Sequence, residues 1–223
     1  VGSPRLPFFL LPQDQTVAAT SHPGAFGERA SGAMRKGSDM FARTARLTLR
    51  PGWPEDAMAL TRAIAHEEVV TKLSRAPWPY ALGDAQVFLM QPRGPEVASF
   101  LVFDDPGGSP RLVGGIGIDR NARGEHELGY WFTPDAWGRG YATEAGRAVI
   151  DIARHSLGLK RLVAGHFLDN PASGRVLEKL CFRPTGQIVP SPSRARGSDV
   201  PSARYALDLT DCGCGDPTMP LAA

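Results

Sequence analysis

The sequence predicts a mixed α/β domain: a mostly antiparallel sheet carrying one parallel strand pair, with helices on its flanks. Three runs with alternating apolar residues, ASFLVFD, RLVGGIGID and HELGYWF, follow one another, the first two joined by the turn-rich DDPGGSP. That is the pattern of an antiparallel meander. The third run leads into ATEAGRAVIDIARHSLG, where Ala145, Ala148, Val149 and Ile152 form a helical apolar stripe, and then into the strand-like KRLVAGHF. Such a strand-helix-strand unit crosses over right-handed and leaves its strands parallel.

Regular structure is expected to start near Met40. From Gln13 to Ser38 the chain is rich in Gly, Ala, Ser and Thr without sustained periodicity, a composition that buries too little apolar surface to offset the entropy of ordering. Residues 1–39 are therefore read as a disordered leader or, since Met34 and Met40 both suit an initiator, as an over-extended start. RLPFFLLP within them is interrupted by Pro7 and closed by Pro12, and no small-residue cleavage site follows, as a secretory signal requires. ARLTLRP, residues 45–51, alternates like a short strand. Pro54 suits a first helical turn, and Ala57, Leu60 and Ile64 share one face of the helix PEDAMALTRAIAHEEV. RAPWPYALGD is a proline-broken loop; Asp84 can cap a second helix over AQVFLMQ, which stops at Pro92. After KRLVAGHF come a helix, PASGRVLEKL, and strands near TGQIVP and SARYALDL. Residues 210–223 are read as a loose tail.

Composition narrows the function classes. At 223 residues, 42% of them hydrophobic, the chain can bury one sizeable core. A formal charge of +2 from 25 basic and 23 acidic residues is too balanced for a nucleic-acid face, which concentrates basic charge. No apolar run approaches the roughly 20 residues of a membrane span. Cys181, Cys212 and Cys214 make an odd count without framework spacing, which favours a reducing, cytoplasmic setting. The Cys-x-Cys of DCGCGD has neither a second pair nor histidines and makes a poor zinc site, so no metal is expected.

The chemistry concentrates where ELGYWF ends in WGRG and the chain turns helical. Helix N-termini expose unpaired N–H groups with partial positive charge, and glycine lets an anion approach without meeting a β-carbon. Gly138 and Gly140 suit a phosphate cradle on those grounds. They suit a tight strand-to-helix turn equally well. No Walker-type phosphate loop with its lysine occurs.

The order strand, two helices, three-strand meander, helix, strand, helix, two strands resembles the GNAT acyltransferase superfamily. Its acyl-CoA signature, Gln or Arg followed by x-x-Gly-x-Gly or Ala, maps onto Trp137, Gly138, Arg139, Gly140, Tyr141 and Ala142, with Trp137 departing from the usual first residue. The longer string WGRGYATEA, with ELGYW before it and DNPASGRVLEKLCF after it, resembles the branch that acetylates ribosomal-protein N-termini. The resemblance spans roughly residues 46–209. It implies that residues 40–209 form one acetyltransferase domain with the GNAT acyl-CoA N-acyltransferase fold, in which the meander and crossover strands splay apart to admit pantetheine.

Roles for individual residues follow from that resemblance. It implies acetyl-CoA as co-substrate, its pyrophosphate held by backbone N–H groups of Gly138, Arg139, Gly140, Tyr141 and Ala142. Arg139 and Arg147 then screen the phosphates, or are plain surface arginines. Glu127 on the ELGYWF strand is implied to take the proton of the attacking amine, because an ammonium has no lone pair with which to attack. The alternative is a strand glutamate paired with a basic side chain. Glu125, His126, His66 and Glu67 are the fallback bases, and a helical polar face also accounts for the last two. Asn170 reads first as the N-cap ahead of Pro171; the resemblance adds contact with pantetheine. Ser173 is implied to protonate the departing thiolate. Backbone N–H groups of ELGYWF are implied to polarise the thioester carbonyl. Cys181 stands where the family has glycine before Phe182, and is read as a small packed residue, since direct amine attack needs no acyl-enzyme. Trp78 and Tyr80, with residues 194–198, are placed beside the acceptor, or the two aromatics simply pack their loop.

The expected reaction is direct transfer of acetyl from acetyl-CoA to a primary amine in a ternary complex. A peptide or protein N-terminal α-amine is favoured because it titrates at about 7.7 to 8.0, against about 10.4 for lysine. A small-molecule amine acetyltransferase and a non-catalytic acyl-CoA-binding module are the alternatives. A monomer or homodimer is expected, with no membrane or nucleic-acid partner.

Overall fold

The computed structural model describes residues 40–210. The expected leader, residues 1–39, and residues 211–223 of the expected tail, with their Cys-x-Cys pair, lie outside the described residues.

A two-residue strand, β1 (Ala42–Arg43), pairs with β2 (Leu47–Arg50). A 3-10 turn (Pro54–Asp56) leads into α1 (Ala57–Ile64), then α2 (Glu67–Val70) and α3 (Leu82–Met90). The meander is β3 (Ala98–Asp104), β4 (Arg111–Arg120) and β5 (His126–Phe132). Next, α4 (Tyr141–Asp151) runs through a π turn (Ile152–Ser156) into β6 (Arg161–Phe167). The last elements are α5 (Pro171–Lys179), β7 (Arg183–Ser193) and β8 (Ser198–Asp208). All eight strands form one sheet in the order β1-β2-β3-β4-β5-β6-β8-β7. Every neighbouring pair is antiparallel except β5 beside β6, the mixed architecture expected from the sequence.

Local differences have physical causes. The first predicted helix is two: Ala65 (ψ 55) and the extended His66 (φ −120, ψ 124) interrupt it before Glu67. Asp84 does not stand at the N-cap of α3 but three residues inside, where its carboxylate accepts the N–H of Ala81 at 3.0 Å. Asn170 occupies the N-cap of α5 as predicted, yet its side chain makes no capping bond. Cys181 is half-buried at the α5 C-terminus with φ 66, the left-handed conformation that favours glycine, and is disulfide-bonded.

Strand alternation distributes the core to both sides of the sheet. Phe100, Val102, Leu128 and Phe132 pack with Val149 and Ile150 of α4 and Leu177 of α5. Leu101 and Leu112 point the other way and pack with Leu60, Ile64, Ala85 and Leu89 of α1 and α3.

The parallel pair is joined at one position, Glu127 with Val163. The Thr133 N–H bonds to the Val113 carbonyl at 2.9 Å. In an antiparallel ladder hydrogen-bonded pairs alternate, so Gly129 and Trp131 direct their backbone groups to β4, and Tyr130 and Phe132 direct theirs away from it. The same alternation, set on β8 by the Leu209 N–H to Lys160 carbonyl bond of 2.8 Å, turns the backbone of Val163, Gly165 and Phe167 toward β5. Beyond the Glu127 and Val163 pair, Tyr130 and Gly165 therefore face a gap with no ladder pairing across it.

Candidate functional site

The WGRG segment follows closely on the C-terminal end of β5, one of the two strands that border that gap. After Phe132 the chain makes a 3-10 turn (Pro134–Ala136), and the Trp137 indole donates to the Phe132 carbonyl at 2.8 Å. Gly138 (φ 74) and Gly140 (φ 79) are both left-handed, which selects glycine at each. A β-carbon at Gly138 would meet nothing within 4 Å, and one at Gly140 only the Arg46 guanidinium at 3.6 Å. The space before this backbone is open. Gly140 is the N-cap of α4, and the first intrahelical bond runs from the Glu144 N–H to its carbonyl at 3.0 Å. The N–H groups of Tyr141, Ala142 and Thr143 consequently have no intrahelical acceptor. The tight turn and the exposed helix N-terminus are thus one geometry here, with open space at the glycines and unpaired N–H groups in the first helical turn.

Charged side chains from other elements brace this loop. Asp104, buried at the end of β3, accepts from Arg111 at 3.1 Å and from the Tyr141 hydroxyl at 3.3 Å. Arg111 also pairs with Asp135, and these two carboxylates, Asp104 foremost, raise its pKa. Arg46 donates to the Arg139 carbonyl at 3.0 Å, pairs with Glu144 at 2.6 Å and lies 4.8 Å above the Tyr141 ring. Burial acts to raise the Glu144 carboxyl, but hydrogen bonds from Thr44 and from the side chain and backbone of Arg46 outweigh it and hold the group below its ordinary value. Arg46 and Glu144 were not singled out from the sequence. A carboxylate in the first turn of the helix that follows the glycines was the signal available.

Glu127, Gly129 and Trp131 share the face of β5 toward α1 and α3. Gly129 is exposed, and a β-carbon there would meet nothing within 4 Å, so the strand has a bare floor beside Glu127. Glu127 Oε1 accepts from Arg204 Nη1 at 2.6 Å. Arg204 reaches it by crossing Gly165, where a β-carbon would stand 3.0 Å from Nη1. The fallback carboxylate Glu125 accepts from Asn121 at 3.1 Å in the β4–β5 turn, and His126 faces Glu96 at 3.3 Å.

On the opposite face Tyr130 points at α5. Its hydroxyl lies 2.8 Å from Ser173 Oγ and donates to the Ser173 carbonyl at 3.1 Å. Burial pushes the phenol up to about 12, partly offset by the Ser173 bond. The Ser173 N–H bonds to the Asn170 carbonyl at 3.1 Å, tying these two predicted residues into one turn.

Trp78 lines a groove of about 680 Å3 with His66, Glu67, Glu68, Thr71 and Lys72. His66 and Glu68 also line a second groove of about 730 Å3 that reaches Arg111 and Asp135. Tyr80 lines neither. It is half-buried against the α1 and α3 core, its phenol pushed up to about 12 by burial and by the charge of Asp84. The β7–β8 turn borders the first groove from above: Arg194 N–H bonds to the Ser74 carbonyl at 3.0 Å, and Arg196 donates to the Thr71 carbonyl and to Asp169, each at 2.8 Å.

Among the described residues no helix is long and apolar enough to cross a membrane, and no group of three or more His, Cys, Asp or Glu is placed to hold a metal ion. Comparison with known proteins agrees with the geometry. An uncharacterized N-acetyltransferase of Bacillus subtilis (strain 168), YoaA, is 38% identical over 79 residues, which are 34% of this chain and 45% of YoaA. The chain thus spans less than half the length of that relative. A GNAT-family acetyltransferase from Bacillus anthracis superimposes with a TM-score of 0.65 at 24% identity over 77% of this chain and 100% of that one. The ribosomal-protein-S5-alanine acetyltransferase of Vibrio fischeri superimposes with a TM-score of 0.65 at 16% identity, over 78% and 98%. The acetyltransferase (GNAT) domain family matches residues 46–183, a stretch that runs from Arg46 through the glycine turn to the start of β7, and the chain belongs to that family.

Proposed function

We propose that the protein is an N-acetyltransferase that moves an acetyl group from acetyl-CoA to a primary amine, with a peptide or protein N-terminal α-amine as acceptor. The observation that carries this reading is the unpaired edge between Tyr130 and Gly165, with the Gly138 and Gly140 turn following the end of β5 and tied to Phe132 through Trp137. An extended molecule with amide groups and an anionic end fits such a place: its amides meet the strand edges, and its diphosphate meets the N–H groups of Gly138, Arg139, Gly140, Tyr141 and Ala142. The Asn170 amide, free of the capping bond, stands ready for the pantetheine.

Acetyl-CoA supplies the activated acyl group; the chain holds it and moves protons. The outward backbone N–H groups of β5 polarise the thioester carbonyl in a site partly shielded from water. As the bond from amine nitrogen to acyl carbon forms and the carbon–sulfur bond breaks, Glu127 takes the amine proton. Ser173, hydrogen-bonded to Tyr130, gives a proton to the departing thiolate and regains one from solvent. Arg204 fixes the Glu127 carboxylate beside the bare floor at Gly129.

The Trp78 groove is the favoured acceptor path, because Glu67 and Glu68 attract a protonated amine before it gives up its proton. An α-amine, titrating about 2.5 units below lysine, has by far the larger neutral fraction at pH 7. The test is competition between a free-N-terminus peptide and its N-blocked, lysine-containing counterpart, with thiol release followed and products located by mass spectrometry. Predominant α-amine labelling is expected. Predominant lysine labelling, or rapid acetylation of a small amine with neither peptide labelled, overturns the acceptor assignment. Acetyl-CoA binding without turnover on any amine makes the protein a binding module.

A further inference from the structure

Glu144 stands in the first turn of α4, where a carboxylate opposes an incoming anion and takes up part of the positive potential of the helix end. The structure answers that charge from β2 and the turn before it. Arg46 places Nη2 2.6 Å and Nε 2.7 Å from Glu144 Oε2, while its backbone N–H at 3.0 Å and the Thr44 hydroxyl at 2.6 Å donate to Oε1. The Glu144 side chain is left 18% exposed and the Arg46 side chain 50% exposed, so the cation stands outermost, at the glycine turn. The same guanidinium holds the Arg139 carbonyl through Nη1 at 3.0 Å. In a planar trans peptide the carbonyl and the following N–H point in opposite directions. Drawing the Arg139 carbonyl toward Arg46 therefore turns the Gly140 N–H away from it, outward from the loop.

We propose that Arg46 is a positioning residue for the acetyl-CoA diphosphate: it cancels the Glu144 charge beside the cradle and orients the Arg139 to Gly140 peptide. This rests on acetyl-CoA being the ligand of the glycine turn. Two effects are separable. Charge cancellation is needed only while Glu144 is charged. Peptide orientation needs Arg46 whatever stands at position 144.

The test is calorimetric titration of acetyl-CoA into the intact protein and its Arg46→Ala, Glu144→Gln and Arg46→Ala/Glu144→Gln variants, at low salt and at about 1 M salt, with thermal melts as the check on folding. Arg46→Ala is expected to raise Kd about tenfold at low salt, and less at about 1 M salt, where charges a few ångströms apart are screened. Adding Glu144→Gln to Arg46→Ala is expected to restore Kd to within about threefold of wild type, the residue of the loss being peptide orientation. If Arg46→Ala fails to fold, Arg46→Gln, which keeps the start of the aliphatic stem and an amide donor without the charge, carries the same cycle. A wild-type Kd in folded Arg46→Ala, or a double variant no better than the single one, overturns the compensation. A folded wild-type protein that does not bind acetyl-CoA overturns the ligand itself, and is distinguishable from both.

Discussion

The phenol of Tyr130 and the hydroxyl of Ser173, 2.8 Å apart, tie the open edge of β5 to the first turn of α5. Burial pushes the phenol up to about 12, so Tyr130 stays protonated through any ordinary assay range and serves Ser173 by hydrogen bonding. Tyr130→Phe removes the hydroxyl that makes both contacts with Ser173, a net loss of the order of 1 kcal/mol, and should lower kcat about fivefold. Ser173→Ala should slow thiol release about a hundredfold with acetyl-CoA Kd unchanged. Wild-type turnover by a folded Ser173→Ala protein removes the serine from the mechanism. Because the phenol pKa is raised on folding, the stability Tyr130 contributes is complete below about pH 10 and lost as pH climbs toward 12. Tyr130→Phe should flatten the alkaline fall in melting temperature.

Glu127 and Arg204 define a second experiment. Glu127→Gln keeps the side-chain size but cannot take a proton, so its rate should fall most at low pH, where little of the amine is already neutral, and recover partly as pH rises. A wild-type to mutant rate ratio that is flat across pH shows that the base is elsewhere. Arg204→Met keeps an unbranched apolar stem without the charged guanidinium and frees the carboxylate from its 2.6 Å partner. It should lower kcat with little effect on acetyl-CoA Kd.

Acid should loosen the glycine turn. The Glu144 carboxyl is held below its ordinary value against the opposing effect of burial. A carboxyl whose pKa falls on folding contributes stability that is full above its unfolded value, about 4.3, and lost as pH falls through the lower folded value. The melting temperature of wild type should therefore drop more steeply below about pH 4 than that of Glu144→Gln. Asp56 and Asp169 are likewise lowered by arginine or lysine partners against the effect of burial, so part of the slope should remain. Equal slopes for the two proteins would show that the Arg46 and Glu144 pair does not stabilise the fold.

Cys181 offers a backbone test. Comparing Cys181→Gly with Cys181→Ala removes the sulfur, and its disulfide, from both proteins and leaves only the φ 66 conformation to tell them apart. The glycine variant should be more stable by about 1 kcal/mol. Equal melting temperatures would mean that the chain relaxes out of the left-handed conformation.

Periodicity carried the element order because the apolar faces of α4, β5 and β6 are regular enough to reveal their period before any contact is known. The Ala65 and His66 break was hidden, since the helical apolar pattern runs on through it and neither residue carries a breaker signal. At the site, the glycine turn was legible because its chemistry is local. Glu127 was legible as a carboxylate, but its partner Arg204 lies 77 positions away, and Arg46 lies 98 positions from Glu144. Charge complementarity at such separations depends on which strands neighbour which, and a single sequence does not encode that locally. Tyr80 shows the converse. The same aromatic, proline-broken loop sends Trp78 to a groove and Tyr80 to the core, and the spacing of the two does not distinguish them.

The single rung between Glu127 and Val163 divides the sheet into a five-strand sector and a three-strand sector that the polypeptide sews together at one stitch. Whatever amide-bearing molecule lies between Tyr130 and Gly165 becomes, for as long as it stays, a ninth strand. On the function proposed above, binding would close this seam and each release would reopen it. Slow amide exchange at Tyr130 and Gly165 would record occupancy of the seam directly, one cycle of stitching at a time.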